Sequence, residues 1–148
     1  MAKIDIGSAL IKIDPTEGGA NAADYSSEII SGTLTLTRGN SKHKTLGGTG
    51  AFVTVGDIEG SVSIVVEANT GATALASVLG SWISDNTPTA RSLEISTPNS
   101  TDVGAQKYTF EAFLVSLTPV EADANGTGVM RLAAQFESDG AITFANVT

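Results

Sequence analysis

A chain of 148 residues and 15.0 kDa amounts to one domain with room for one hydrophobic core. Its net charge of −8 argues against a basic phosphate-binding face, and the absence of cysteine excludes disulfide frameworks, thiol nucleophiles and Cys-based zinc sites. Charged residues make up only 16%, against roughly 25% in an ordinary soluble domain; 15 Ser, 18 Thr and 16 Gly fill the difference.

The start, Met1 to Ser8, has no contiguous apolar stretch and carries an early aspartate. It reads as a flexible arm and not as a secretory signal peptide. Ala9 to Ile13 is the first predicted strand, closed by Asp14-Pro15. A long loop over about 16–27 follows, with Gly18-Gly19 and few apolar anchors. Leu34 and Leu36 then alternate with Thr33, Thr35 and Thr37, a period of two that marks a half-buried strand. A second long, glycine-rich loop is expected over about 38–50, followed by a strand through Ala51, Val53 and Val55. Asp57 and Glu59 read as solvated turn residues, as do Glu121 and Asp123.

Val62, Ile64 and Val66 form the next alternating set. Leu75, Val78, Leu79, Trp82 and Ile83 fall at i, i+3, i+4, i+7 and i+8, the apolar stripe of one helix. Thr70 or Thr73 is placed to cap it, and Asp85-Asn86-Thr87-Pro88 to stop it. A short strand holds Leu93 and Ile95. In Tyr108 to Leu117 the apolar phase changes from Tyr108, Phe110 and Ala112 to Phe113, Val115 and Leu117, which requires a bulge or a change of sheet. Met130, Leu132, Ala134 and Phe136 share a face in the last strand, which closes with Ile142 and Phe144. The expected architecture is mainly β: two packed antiparallel sheets, a sandwich or squashed barrel, with one flanking α-helix in a single domain over 1–148. Leu75, Leu79, Trp82, Phe110, Phe136 and Phe144 are its expected core.

No motif for chemistry emerges. His43 is the only histidine, and nothing in the sequence sets an acid or nucleophile beside it. Gly47-Gly48-Thr49-Gly50 lacks the Lys-Ser/Thr pair of a phosphate loop. The chain is therefore expected to be no enzyme and to hold no cofactor or metal. With no run of about 18 apolar residues, it is also expected to have no membrane-spanning segment. Arg38, Lys42 and Lys44 are three of only eight basic residues, and they suit a charged arm that docks on an acidic copy of the same protein.

The stretch Gly128-Val129-Met130-Arg131-Leu132-Ala133-Ala134-Gln135-Phe136-Glu137-Ser138-Asp139-Gly140-Ala141-Ile142-Thr143-Phe144, with the Tyr108 to Leu114 strand, the Val62 to Glu67 strand and the single helix, resembles the major tail tube proteins of long-tailed, siphovirus-type bacteriophages. The resemblance covers most of the chain as a pattern of elements. It implies subunits joined edge to edge in six-membered rings that stack into a hollow tube, with a tail tip or initiator, a tape measure and a terminator protein as further partners. Double-stranded DNA would pass through the lumen without specific binding, in a virion tail assembled in the host bacterial cytoplasm. On this sequence the inter-ring contact would fall to Arg38, Lys42, His43, Lys44, Gly47 and Gly48. Glu67, Glu94, Glu111 and Glu137, on the outward strand phase, are the acidic residues that would face the lumen. The inner tube of a contractile injection or type VI secretion machine shares the same architecture; a β-sandwich binding module is the alternative outside it, and the scarcity of aromatic residues argues against that.

Overall fold

A computed structural model describes residues 10–16, 22–44, 46–48, 50–69, 71, 73–96, 106–120 and 130–146. The expected arm at 1–8, the Gly18-Gly19 part of the first loop, and Glu121 and Asp123 lie outside these residues. Among these residues are seven strands, β1 (Leu10–Ile13), β2 (Ala23–Asp24), β3 (Ile29–His43), β4 (Phe52–Glu67), β5 (Arg91–Ser96), β6 (Gln106–Val120) and β7 (Arg131–Asn146), with one α-helix, α1 (Leu75–Ile83). The mainly β architecture with a single helix is as the alternation implies. In place of two sheets, however, all seven strands share one antiparallel sheet in the order β2-β1-β5-β6-β7-β4-β3.

That sheet is rolled. β2 and β3 stand at its two ends, yet only Tyr25 to Glu28 separate them in sequence. Seven flat strands would measure about 29 Å from edge to edge. The connection, five Cα steps of ~3.8 Å, reaches at most about 19 Å. The sheet therefore curls until its ends meet, which is the squashed-barrel form of the expectation. The closure is made without a strand ladder: the Tyr25 backbone N–H donates to the Ile11 carbonyl at 3.1 Å, and the Ile11 N–H donates to Ser26 Oγ at 2.9 Å. Gly32 of β3 lies against Ile11, where a Cβ would come within 3.0 Å of Ile11 Cδ1. Asp24 fixes the turn by accepting from the Ser26 hydroxyl and backbone N–H, which hold its carboxyl below the ordinary value.

The inner face of the roll is the core. Register places Leu114, Phe136, Val62 and Leu34 in one row across β6, β7, β4 and β3, and Leu117, Ala134, Ile64 and Gly32 in the next. α1 lays Leu75, Val78, Leu79 and Trp82 on this face, with Trp82 5.6 Å from the Phe136 ring. The phase change in β6 is a bulge: Leu114 pairs with Phe136 and Ser116 with Gln135, leaving Val115 unopposed and half exposed. It falls after Leu114, later than the switch at Phe113 that apolar pattern suggests. Thr73 does not cap α1, and Thr70 lies outside the described residues. Ala74 occupies the cap position, and Glu28, from the turn before β3, accepts the Leu75 backbone N–H at 3.2 Å.

Leu75, Leu79, Trp82, Phe110 and Phe136 are buried, whereas Phe144 is 49% exposed. The correction has a structural cause. At Gly140, in the left-handed region with φ +87°, β7 bends away, and its last residues pair only with β6. Phe144 there packs on Tyr108 at 5.1 Å.

Replacing Trp82 by alanine is expected to cost ~3–5 kcal/mol in urea unfolding, because the ring is fully enclosed between Phe136 and the Arg91 guanidinium. Asp24→Asn should also destabilise at neutral pH. A carboxyl lowered in the folded state contributes above its unfolded value and loses that contribution as pH falls through the folded one, so the stabilities of variant and parent should converge in acid.

Candidate functional site

The outer face of the roll is built from small hydroxyl side chains at the positions between the core residues. On β6, β7, β4 and β3 the register aligns Ser116, Gln135, Ser63 and Thr33 in one row, and Thr118, Ala133, Val65 and Ser31 in another. Together they line a shallow groove with few charges. Gln135 Nε2 donates to Ser63 Oγ at 3.4 Å, a weak tie across β7 and β4.

The four acidic candidates each follow a buried residue directly: Glu67 after Val66, Glu94 after Leu93, Glu111 after Phe110 and Glu137 after Phe136. Strand alternation therefore places all four on the outer face. They do not form one cluster. Glu67 lies opposite Arg131, and Glu137 opposite Ser61, on the four-stranded β6-β7-β4-β3 part. Glu94 and Glu111 lie on the β1-β5-β6 part, where Glu94 sits 3.3 Å from Lys107 Nζ and 3.9 Å from Lys12 Nζ, and Glu111 accepts from Ser92 Oγ at 3.1 Å. Glu94 is thus held in ion pairs, whereas among the described residues Glu67, despite Arg131 opposite it, and Glu137 form none.

This four-stranded part has two open sides. β5 pairs with β6 only as far as Ala112, so among the described residues Phe113 to Thr118 have a ladder to β7 alone. Among the described residues β3 likewise pairs with β4 alone along its length. Each side thus presents a row of backbone N–H and C=O groups with no described strand beside it.

The second feature is a projecting hairpin, and it corrects the expected loop at 38–50. Arg38 to His43 belong to β3 and Phe52 to Asp57 to β4; the ladder runs on to His43 opposite Phe52. Glycine did not end the strands, because Gly39 faces Gly56 and Asp57 in a bulge that absorbs the mismatch and lets pairing resume at Asn40 and Val55. Asp57 and Glu59 are consequently strand residues and not turn residues. β7 pairs with β4 only from Ser61 onward, so the hairpin leaves the sheet as a two-stranded ribbon. Phe52, Val53 and Val55 are all more than half exposed on it, and Leu46 in the turn is fully exposed. His43 stacks on Phe52, with ring centroids 5.7 Å apart. Gly47, at φ +85°, makes the turn, with Gly48 beside it.

At the ribbon's base Arg38, Asp57, Ile58 and Glu59 face Glu137, Ala141 and Ile142 of the bent β7 across a cleft of about 740 Å³. Sequence reasoning missed this cleft because its two walls are some eighty residues apart and meet only through the β4–β7 pairing. Among the described residues, none of Arg38, Lys42, Lys44, Asp57, Glu59 and Glu137 forms an ion pair.

No protein-family model matches the chain, and no curated protein matches it by sequence. Solved structures do. A chain of the sheath–tube complex of the PVC extracellular contractile injection system is 16% identical, with a TM-score of 0.70 over 98% of this chain and 93% of that one. A chain of a gene transfer agent tail is 14% identical, TM-score 0.69, over 92% of this chain and 94% of that one. A chain of the SPP1 tail tube is 8% identical, TM-score 0.75, over 97% of this chain and 80% of that one. At such identities the likeness establishes a shared fold.

The outer-face carboxylates should be dispensable for folding. The double variant Glu67→Gln, Glu137→Gln is expected to unfold within about 0.5 kcal/mol of the parent in urea, since neither side chain has an ion-pair partner among the described residues.

Proposed function

We propose that the chain is a structural subunit of a tail tube, joined into six-membered rings that stack into a hollow conduit for double-stranded DNA in a virion tail. The observation that carries this reading is the four-stranded β6-β7-β4-β3 part, open along both sides and faced outward with hydroxyls. It is supported by a fold shared with chains of three tail or tube assemblies. Pairing the open stretch of β6 with β3 of the next copy satisfies both backbone rows at once and continues the sheet around a ring.

The dimensions agree with a conduit. Six copies contribute twenty-four strands, which at about 4.8 Å each give a cylinder roughly 37 Å in diameter, and wider when the strands tilt. Its inward face would then be the hydroxyl rows with Glu67 and Glu137. Arg131 is the one cation on this face among the described residues, and it stands opposite Glu67. With small neutral side chains and carboxylates making up the rest, a duplex finds little to grip and slides without adhering. Glu94 and Glu111, on the other half of the roll, belong to the subunit's flank. The ribbon of β3 and β4, with Arg38, Lys42, His43, Lys44, Gly47 and Gly48, would make the contact between rings.

Support reaches as far as tube subunit and not to the siphovirus type, because the shared fold spans a contractile injection system as well as the SPP1 tail tube. The role is structural, with the initiator, tape measure and terminator as its partners. Electron microscopy of the purified, concentrated protein tests the reading. Hollow tubes with six-fold symmetry are expected; compact monomers at every concentration, with an initiator supplied, would exclude it.

A further inference from the structure

Two features at opposite ends of the β3–β4 ribbon are each incomplete. The tip carries Lys42 and Lys44, which have no ion-pair partner among the described residues, and between them and β4 stands Leu46, at 106% relative exposure. A leucine held fully in water contributes nothing to folding of the subunit that bears it. The base holds the cleft, lined by Ile58 and Ile142 together with three carboxylates, Asp57, Glu59 and Glu137, and the single cation Arg38. Three carboxylates and one guanidinium leave a net −2, and the two lysines of the tip supply +2.

Resting on the tube reading, we propose that the cleft is the acceptor for the ribbon tip of a second copy: Leu46 enters between Ile58 and Ile142, and Lys42 and Lys44 meet the carboxylates. The occupant has to be another copy, because the tip cannot reach its own base. A paired two-stranded ribbon holds its ends apart, and from Arg38 to His43 it extends about 17 Å before the turn. Tip and cleft are different surfaces of one molecule, so the contact is head to tail, and repeated along the direction of the ribbon it propagates along an axis. That is the symmetry required between stacked rings, and it is distinct from the edge pairing within a ring. Burial of Leu46 supplies apolar contact, while the charges fix which surface it enters.

The native chain has no cysteine, so a paired substitution reports this contact cleanly. Leu46→Cys and Ile142→Cys in one chain, assembled and then oxidised, should give a ladder of covalent multimers on a non-reducing gel, and each single variant at most dimers. In parallel, Lys42→Glu with Lys44→Glu should shorten tubes by about tenfold, as should Asp57→Lys with Glu59→Lys, the effect multiplied over six contacts per ring. Combining both pairs in one chain should restore tube length, and raised salt should shorten parental tubes. Tubes that form normally but yield no ladder, or a charge swap that leaves them short while circular dichroism shows each variant folded, would overturn the cleft as acceptor and leave the tube reading intact. Failure of the parental protein to form tubes would overturn both.

Discussion

A strand at the side of a sheet is a row of hydrogen-bonding groups that only water or another strand can satisfy, and this molecule carries two such rows where most domains would hide them. The roll could have been closed by pairing β3 with β2, the strand at the other end of the sheet, which would have consumed one of them. It is closed through Tyr25 and Ser26 instead. The fifteen residues of β3 are thereby kept open, and the abrupt end of β5 pairing at Ala112 opens the second half of β6. Everything else follows from that arrangement: core residues and helix on the inner side, hydroxyls on the outer side, and an unpaired side at each end of the four-stranded part. Such a molecule has a complete core yet keeps two open sheet sides, the ones that the proposed tube would use for identical neighbours.

Much of this is legible in the sequence, because a strand covered on one face writes its burial as alternation. Val62, Ile64 and Val66, and Leu132, Ala134 and Phe136, declare their inner face directly, and the helix stripe declares Trp82. The same alternation assigns Glu67 and Glu137 to the outer face without any contact being known. Local pattern fails where a long-range pairing decides. Glycines at 39, 47, 48 and 50 favour a loop, but cross-strand hydrogen bonds hold the ladder through Gly39 to His43. Phe144 has the apolar identity of a core residue, yet the bend at Gly140 removes it from the core. Nothing local marks Glu28 as the acceptor for the first N–H of a helix forty-seven residues later. The cleft at the ribbon base is the clearest case: Asp57 and Glu59 read as surface acids until β7 brings Glu137 and Ile142 beside them.

The scarcity of charge acquires a reason in this setting. Surfaces that are to be covered by identical neighbours must not repel themselves, and hydroxyl side chains satisfy that while remaining wettable before assembly. The charges that remain are sorted. Lys12 and Lys107 both pair with Glu94 on the flank, where the carboxylate offsets one of the two cations. The tip and base of the ribbon are left unneutralised, with opposite sign. Exposed ion pairs stabilise a fold by only about 0–1 kcal/mol, so leaving these uncompensated costs the monomer little.

The closure of the roll has a mechanical corollary. Sheet ladders resist shear through many parallel hydrogen bonds, whereas this join depends on two bonds to Ile11, the fit of Gly32 against the same side chain, and the Glu28 carboxylate reaching Leu75 and Asn69. A join of that kind breathes more readily than the strands on either side, and amide exchange would begin there before it reached β4 or β7. A copy added along β3 clamps the strand that forms one lip of the join. Lateral neighbours would then suppress the opening motion of each subunit they touch, and stiffness would be a property of the closed ring, with the lone molecule the most compliant form of the material.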